Sequence, residues 1–205
     1  MKALSMTEFL KAREGVRFPF EGDWLAHMGK IERGGTILIW GASASGKTRY
    51  AIKLCKYLSQ FTDVLYNSYE EAGRDSLRQA FEEEGMAERN GHVQMLGGEP
   101  LDELEKRLSK RSPSVVILDS LQYMRITYDR YCDFVRKFPQ KLFVFISQAE
   151  GTQPRGTTAV SVQFDAGVKV FVQGFVAYAT SRYGGGEPFI ISPEKVKELS
   201  IESSL

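Results

Sequence analysis

The sequence predicts an α/β fold with a mostly parallel central sheet, helices on both faces and an antiparallel edge near the C-terminal end. Short apolar runs alternate with segments of helical spacing along most of the chain, which is the pattern of strand–helix–strand units. The first strong apolar run, residues 36–40, leads into a Gly- and Ser-rich turn and then a helical pattern. Two later apolar runs are separated only by Gln173 and Gly174, which indicates a hairpin.

Strands are predicted where a short run is almost wholly apolar, because a parallel strand is buried on both faces of its sheet. Residues 36–40 (TILIW) and 142–146 (LFVFI) are the strongest of these runs. The other strands are expected at residues 64–67, 92–96, 115–118, 168–172, 175–180 and 189–191.

Helices are predicted where apolar residues recur every three or four positions, so that they share one face. Residues 47–59 show this spacing with Ala51, Leu54 and Leu58. The polar stretch 150–162 holds Gly, Thr and Pro and is expected to form a long loop. The other helices are expected at residues 7–14, 23–28, 74–84, 101–108, 128–137 and 193–199.

The composition is that of one folded domain. The chain has 205 residues, of which 42% are hydrophobic, which suffices for one core and is short for two. We divide it into an N-terminal segment, residues 1–30, which could contact another subunit, and a main domain, residues 31–205. A net charge of +1 excludes binding of nucleic acid through overall charge alone. It is still compatible with a local basic groove.

Cysteine usage and hydropathy indicate a cytoplasmic protein. Cys55 and Cys132 have no partner at CxxC spacing, which argues against a zinc site, and both are expected to be reduced. No apolar run approaches the roughly 18 residues that span a membrane. The first residues also lack the apolar stretch of a signal peptide, so we expect no membrane partner.

A phosphate-binding loop is predicted between the first strong strand and its helix. The sequence fits G-x-x-x-x-G-K-S/T in full, and small residues at the variable positions let backbone N–H groups close around an anion. Lys47 is expected to reach the β- and γ-phosphates of a nucleoside triphosphate, and the Thr48 hydroxyl to ligate Mg²⁺. The residues expected to wrap the phosphates are Gly41, Ala42, Ser43, Ala44, Ser45, Gly46, Lys47 and Thr48.

Acidic residues follow two other predicted strands. Asp119 ends the run 115–118, and the carboxyl ends of parallel strands line the ligand crevice, so we expect it to hold the Mg²⁺ shell directly or through water. ATP hydrolysis also needs a group that orients or deprotonates water. Glu70 is the candidate, because it lies just past a strand end, near the γ-phosphate if that strand neighbours the loop strand. Glu71 is the alternative, and both could instead simply begin a helix.

These motifs, in this order, resemble the RecA-fold core of P-loop ATPases, in particular the branch of DnaB-type helicases and RadA recombination proteins. The chain also resembles small RecA-like ATPases of bacteria and their phages that consist of this core alone. The resemblance covers roughly residues 31–191. Besides the phosphate loop, the matching segments are 68–71 (SYEE), 118–122 (LDSLQ), 145–148 (FISQ), 162–166 (VQFDA) and 181–184 (SRYG).

The resemblance implies further roles. Gln148 would sense the γ-phosphate, and Arg182 would reach the nucleotide of a neighbouring subunit, although Thr180 replaces a Lys of the family pattern. Arg155 lies where the family carries a mobile DNA-binding loop, and could bind DNA phosphates. The implied assembly is a homo-oligomer such as a hexameric ring, acting on DNA, with single-stranded DNA as the expected partner.

Three functions follow as expectations. The first is an ATP- and Mg²⁺-dependent ATPase acting on DNA in replication, recombination or repair. The second is an ATP-driven regulatory or assembly switch that acts on a protein partner, which the near-neutral net charge favours modestly. The third is a small-molecule kinase, which would normally need an Arg-rich lid, whereas the polar stretch here offers only Arg155.

Overall fold

The computed structural model describes residues 3, 5–11, 15–71, 73–108 and 112–202. Its strands are β1 (Gly35–Gly41), β2 (Val64–Ser68), β3 (Val93–Leu96), β4 (Val115–Asp119), β5 (Leu142–Glu150), β6 (Gln153–Pro154), β7 (Val168–Gln173), β8 (Val176–Ser181) and β9 (Phe189–Ile190). Its helices are α1 (Met6–Lys11), α2 (Gly22–Met28), α3 (Lys47–Leu58), α4 (Asp75–Glu83), α5 (Leu101–Arg107), α6 (Leu121–Met124), α7 (Tyr128–Lys137), α8 (Thr157–Asp165) and α9 (Pro193–Glu202). Residues 12–14 of the first predicted helix lie outside the described residues.

One sheet runs through the described residues in the order β3-β2-β4-β5-β1-β7-β8-β9, with β6 paired to the end of β5. The pairs from β3 to β7 are parallel, whereas β8 and β9 are antiparallel. The predicted parallel sheet with an antiparallel C-terminal edge is therefore confirmed. None of the described helices is long and apolar enough to cross a membrane.

The sheet separates two hydrophobic cores, because alternate residues of each buried strand point to opposite faces. On one face, Ile37 and Ile39 of β1 pack with α3. On the other face, Leu38 and Trp40 pack with residues of α5, α7 and α8. The helices that follow each strand thus cover both faces, as the alternating pattern predicted.

The N-terminal segment contributes to the first of these cores. Phe18, Phe20 and Met28 are almost fully buried there, and Trp24 packs against it. The described residues from 15 onward in this segment are therefore part of the domain's own packing. A contact of the segment with another subunit stays a prediction.

Glu70 was expected near the γ-phosphate on the condition that the strand before it, β2, neighbours the phosphate-loop strand β1, and this condition is not met. β4 and β5 lie between β2 and β1. The sequence pattern locates strands but contains no signal for their order, which is set by how each connection crosses the sheet.

The prediction of a long loop at residues 150–162 is wrong. β5 continues to Glu150, turns, pairs with β6, and is followed by α8. Thr and Val have modest helix propensity, which made this segment appear irregular, but burial can override propensity. Ala159 and Val162 recur at helical spacing and are buried against the second core.

Candidate functional site

The phosphate loop connects β1 to α3 at the side of the sheet formed by the carboxyl ends of its parallel strands, here called the carboxyl edge. Ala44 and Gly46 have positive φ values of 58° and 102°, which curl the backbone before the helix begins. No side chain caps the first turn of α3 among the described residues, so its N–H groups are available to an anion. The Lys47 ammonium donates to the Ala42 carbonyl across the loop at 2.6 Å. The loop therefore has the geometry of a phosphate cradle.

Two glycines let the loop pack against the β7–β8 hairpin. A Cβ atom at Gly41 would lie 2.2 Å from the Val172 carbonyl oxygen, and one at Gly46 would lie 2.9 Å from the Phe175 ring. The Phe175 N–H donates to the Ser45 carbonyl at 3.0 Å. The Ser45 hydroxyl is buried and has no hydrogen-bond partner among the described residues. The β7–β8 hairpin thus packs against one side of the loop and leaves the other side accessible.

A cleft of about 290 Å³ opens in front of the loop. It lies at the carboxyl ends of β1, β2, β4 and β5, where parallel sheets hold their ligands. The predicted loop, metal, water-activating and sensor residues therefore meet in one place. The cleft is lined by Ser43, Ala44, Lys47, Thr48, Glu70, Glu71, Asp119, Gln148, Ala149 and Arg155.

Asp119 lies at the base of the cleft and is 4% exposed. Burial raises the pKa of its carboxyl to about 6, and the nearby Glu70 and Glu71 carboxylates add to that rise. The Tyr66 hydroxyl donates to its Oδ2 atom at 2.9 Å and acts in the opposite direction. A buried, electron-rich oxygen that lacks a full counter-charge is suited to a hydrated divalent cation.

Glu70 and Glu71 follow β2 and both line the cleft. The Ser120 hydroxyl donates to Glu70 Oε2 at 3.3 Å, whereas the Glu71 backbone N–H donates to the Ser68 hydroxyl at 3.1 Å. Burial lowers the pKa of Lys47, and the carboxylates of Asp119, Glu70 and Glu71 oppose that change. The structure therefore brings both predicted candidates, Glu70 and Glu71, to the same cleft.

Gln148 belongs to a network that the sequence did not reveal. The Gln122 side chain donates to Ser147 Oγ at 2.9 Å and to the Arg155 carbonyl at 2.8 Å, and its Oε1 accepts from the Gln148 N–H at 3.1 Å. Gln122 was visible only as part of the LDSLQ segment, without a role. Here it ties the end of β5 to the residue after β6.

Arg155, predicted to contact DNA, lies in the wall of this cleft. Its Nη1 atom donates to Gln148 Oε1 at 3.1 Å. Its side chain is nevertheless partly open to solvent, since the residue is exposed. DNA binding by Arg155 stays a prediction.

Arg182 lies at the opposite side of the sheet, formed by the amino ends of the parallel strands and here called the amino edge. β8 runs antiparallel, so its last residue, Ser181, pairs with Val168 at the start of β7. The Arg182 N–H donates to the Gly167 carbonyl, and its guanidinium donates to the carbonyls of Phe164 and Asp165 at 3.4 Å. Arg182 is therefore remote from the phosphate loop of its own chain, and its predicted action on a neighbouring subunit stays a prediction.

Comparison with known proteins gives a structural likeness and no sequence family. No protein-family model matches the chain, and no curated protein matches it at a significant level. Among solved structures it is similar to the flagellar accessory protein FlaH from Methanocaldococcus jannaschii, with a TM-score of 0.66 and 15% sequence identity. The match covers 88% of this chain and 96% of that chain.

This likeness shows that the chain has a RecA-like α/β fold, as predicted. It does not distinguish the RadA/DnaB-like branch from others, so that finer assignment stays a prediction.

Proposed function

We propose that the chain binds ATP with Mg²⁺ in the cleft and hydrolyses it. The observation that carries this proposal is the meeting of the phosphate loop, two cations and three carboxylates at the ends of four strands around one cleft. That set matches the recurring parts of P-loop hydrolases: a backbone cradle, a lysine, a hydroxyl and a carboxylate for the metal, and an acid for water.

The residues present fit both the nucleotide and the ion. The uncapped first turn of α3 and the positive-φ backbone of the loop supply donors for the phosphates. Lys47 would exchange its bond to the Ala42 carbonyl for phosphate oxygens. Thr48 and Asp119 would hold Mg²⁺, which supplies neutralisation of the phosphate charge when bound.

Glu70 is proposed to orient and deprotonate the attacking water. Its carboxylate lines the cleft within hydrogen-bond distance of the Ser120 hydroxyl, which would fix its orientation. Gln148 is proposed to contact the terminal phosphate from the end of β5. Glu71 lines the same cleft and is the alternative base.

Action on DNA as an oligomer is the finer proposal. Its support is the ordered set of RadA- and DnaB-like segments, together with the remote position of Arg182, which suits a role on a neighbouring subunit. Single-stranded DNA is the proposed partner.

A protein partner is the second candidate, because the stretch assigned to a mobile DNA-binding loop folds as β6 and α8. FlaH, which shares the RecA-like fold, is described as a flagellar accessory protein. In this second proposal, ATP hydrolysis by the chain acts on a protein partner in place of DNA.

The deciding experiment is steady-state phosphate release from ATP, with and without single-stranded DNA, using Glu70→Gln as the control. We expect turnover that the variant abolishes; stimulation by DNA would support the DNA proposal. Turnover that ignores DNA but needs Glu70 would favour the protein switch. No phosphate release under any of these conditions, or transfer of phosphate to a small acceptor in preference to water, would refute the ATPase proposal.

A further inference from the structure

The guanidinium of Arg155 is a cation that the predicted hydrolytic machinery does not use. Of the described residues that line the cleft, Lys47 and Arg155 are the cations, facing the carboxylates of Glu70, Glu71 and Asp119. Lys47 belongs to the phosphate loop. Arg155 comes from the other side of the cleft, where it follows the β5–β6 hairpin.

The hairpin holds Arg155 beside Gln148 by two separate bonds. β6 folds back on β5 so that Ala149 pairs with Pro154 and Glu150 with Gln153. The backbone N–H of Arg155 donates to the Gln148 carbonyl at 2.8 Å, and its guanidinium donates to the Gln148 side chain at 3.1 Å. The arginine is therefore positioned by the end of the central strand itself.

The backbone after the arginine is fixed as well. The Gln122 amide donates to the Arg155 carbonyl at 2.8 Å and accepts from the Gln148 N–H at 3.1 Å. At the hairpin turn, the Trp40 indole N–H donates to the Thr152 carbonyl at 2.9 Å. Because Trp40 directly precedes Gly41, the hairpin and the phosphate loop share one support.

Among the described residues, most donors of the Arg155 guanidinium have no hydrogen-bond partner. In the part of the chain that the structure describes, Arg155 makes no ion pair with a carboxylate, although other arginines such as Arg107 and Arg130 do. Within the described ranges, the hydrogen-bond partner of its side chain is the neutral amide of Gln148. A planar guanidinium with free donors matches phosphate oxygens in a bidentate way, which a second lysine would not reproduce.

We propose that Arg155 contacts the terminal phosphate of the bound triphosphate from within the same chain, so that the β5–β6 hairpin distinguishes a triphosphate from a diphosphate. This inference rests on the proposed nucleotide-binding function. It gives the site an arginine in cis, whereas the family resemblance implies only an arginine from a neighbouring subunit. It also gives Arg155 a role that competes with DNA contact.

The test is calorimetric titration of the full chain with Mg²⁺ and either a non-hydrolysable ATP analogue or ADP. The variants are Arg155→Ala and Arg155→Lys, and Arg136→Ala on the exposed side of α7 is the matched control. A hydrogen bond to a charged group contributes roughly tenfold or more to affinity. We therefore expect Arg155→Ala to lower the affinity for the ATP analogue by about that factor and to leave the affinity for ADP nearly unchanged. Arg155→Lys should recover part of the loss.

The outcomes separate this inference from the proposed function. If the unmodified chain binds neither nucleotide, both fail. If it binds the analogue and ADP while Arg155→Ala keeps the ratio of their affinities, only the inference fails. Thermal unfolding would show whether the Arg155→Ala protein is folded. If it is folded and keeps that ratio but no longer binds single-stranded DNA, the arginine binds nucleic acid and not the terminal phosphate.

Discussion

The two edges of the parallel sheet are built on different principles. At the carboxyl edge, the cleft gathers the carboxylates of Glu70, Glu71 and Asp119 beside the half-buried Lys47, and the Ser45 hydroxyl lacks a partner among the described residues. At the amino edge, backbone meets backbone: the Lys30 N–H donates to the Tyr183 carbonyl. The carboxyl edge therefore gathers charged groups and an unpaired hydroxyl around a cleft, whereas this contact at the amino edge joins backbone groups.

The same contrast separates the two arginines. Arg155 reaches the cleft of its own chain, and Arg182 lies at the amino edge among backbone carbonyls. Because both residues are arginines, it is their position in the sheet that decides which one reaches the cleft of its own chain. The following variants test this contrast.

The largest effect is expected at the carboxyl edge with Glu70→Gln. If Glu70 acts on water, ATP turnover should fall about 10²- to 10⁴-fold, because that is the contribution typical of general acid–base catalysis. ATP affinity should persist, since the amide keeps the shape of the side chain. Glu71→Gln is the matched control; a larger loss there than in Glu70→Gln, measured as phosphate release, would exchange their roles.

Gly29→Ala should damage the amino edge. Gly29 has φ 73° and ψ −163°, a conformation almost confined to glycine, and a Cβ atom would lie 2.2 Å from the Tyr183 carbonyl oxygen. We expect a loss of about 2–4 kcal/mol in the free energy of unfolding, from backbone strain and the clash. Denaturant unfolding measures it.

The control for Gly29→Ala is Gly22→Ala. Gly22 also has a positive φ, 54°, but a Cβ atom there would meet nothing within 4 Å. The left-handed conformation alone should cost about 1 kcal/mol. Equal losses in the two variants would show that close backbone packing does not stabilise this edge.

Asp119→Asn should stabilise the nucleotide-free protein. The raised pKa, about 6 against an ordinary 3.8, means that the unfolded chain releases its proton first as pH rises. This carboxyl therefore lowers stability progressively between those values, and the loss is complete above the higher one. With chelator present, the variant should gain about 3 kcal/mol in the free energy of unfolding at about pH 7 and nothing below about pH 4. A gain independent of pH would refute this explanation.

Arg182→Ala should have the smallest effect on nucleotide binding. Because Arg182 is remote from its own cleft, the ATP and ADP affinities of the dilute chain should change less than about twofold. If Arg182 acts on a neighbour, turnover should fall only where chains associate. Adding a Lys47→Ala chain, which supplies Arg182 without binding ATP, should then restore it; failure to restore would remove the role in trans.

Much of the fold could be predicted because its signals are local. Apolar runs located the buried strands, and residues 41–48 predicted correctly the turn that connects a buried strand to a helix. Asp119 was placed correctly at the carboxyl edge, since every strand of a parallel sheet ends there. The helix α8 was missed because its apolar face is short and its residues are β-branched, so burial alone reveals it.

The sequence by itself determined most of the strands and helices and the position of the predicted phosphate loop between β1 and α3, because periodicity and loop motifs act over a few residues. Only the tertiary structure decided the strand order, which places β4 and β5 between the loop strand β1 and the strand that precedes Glu70. The carboxyl ends of these four strands nevertheless line one cleft. It also decided that Arg155 lines the cleft, whereas Arg182 lies at the amino edge. Such positions depend on pairing between distant strands and on the hairpin that turns Arg155 inward, and no local pattern in the chain encodes them.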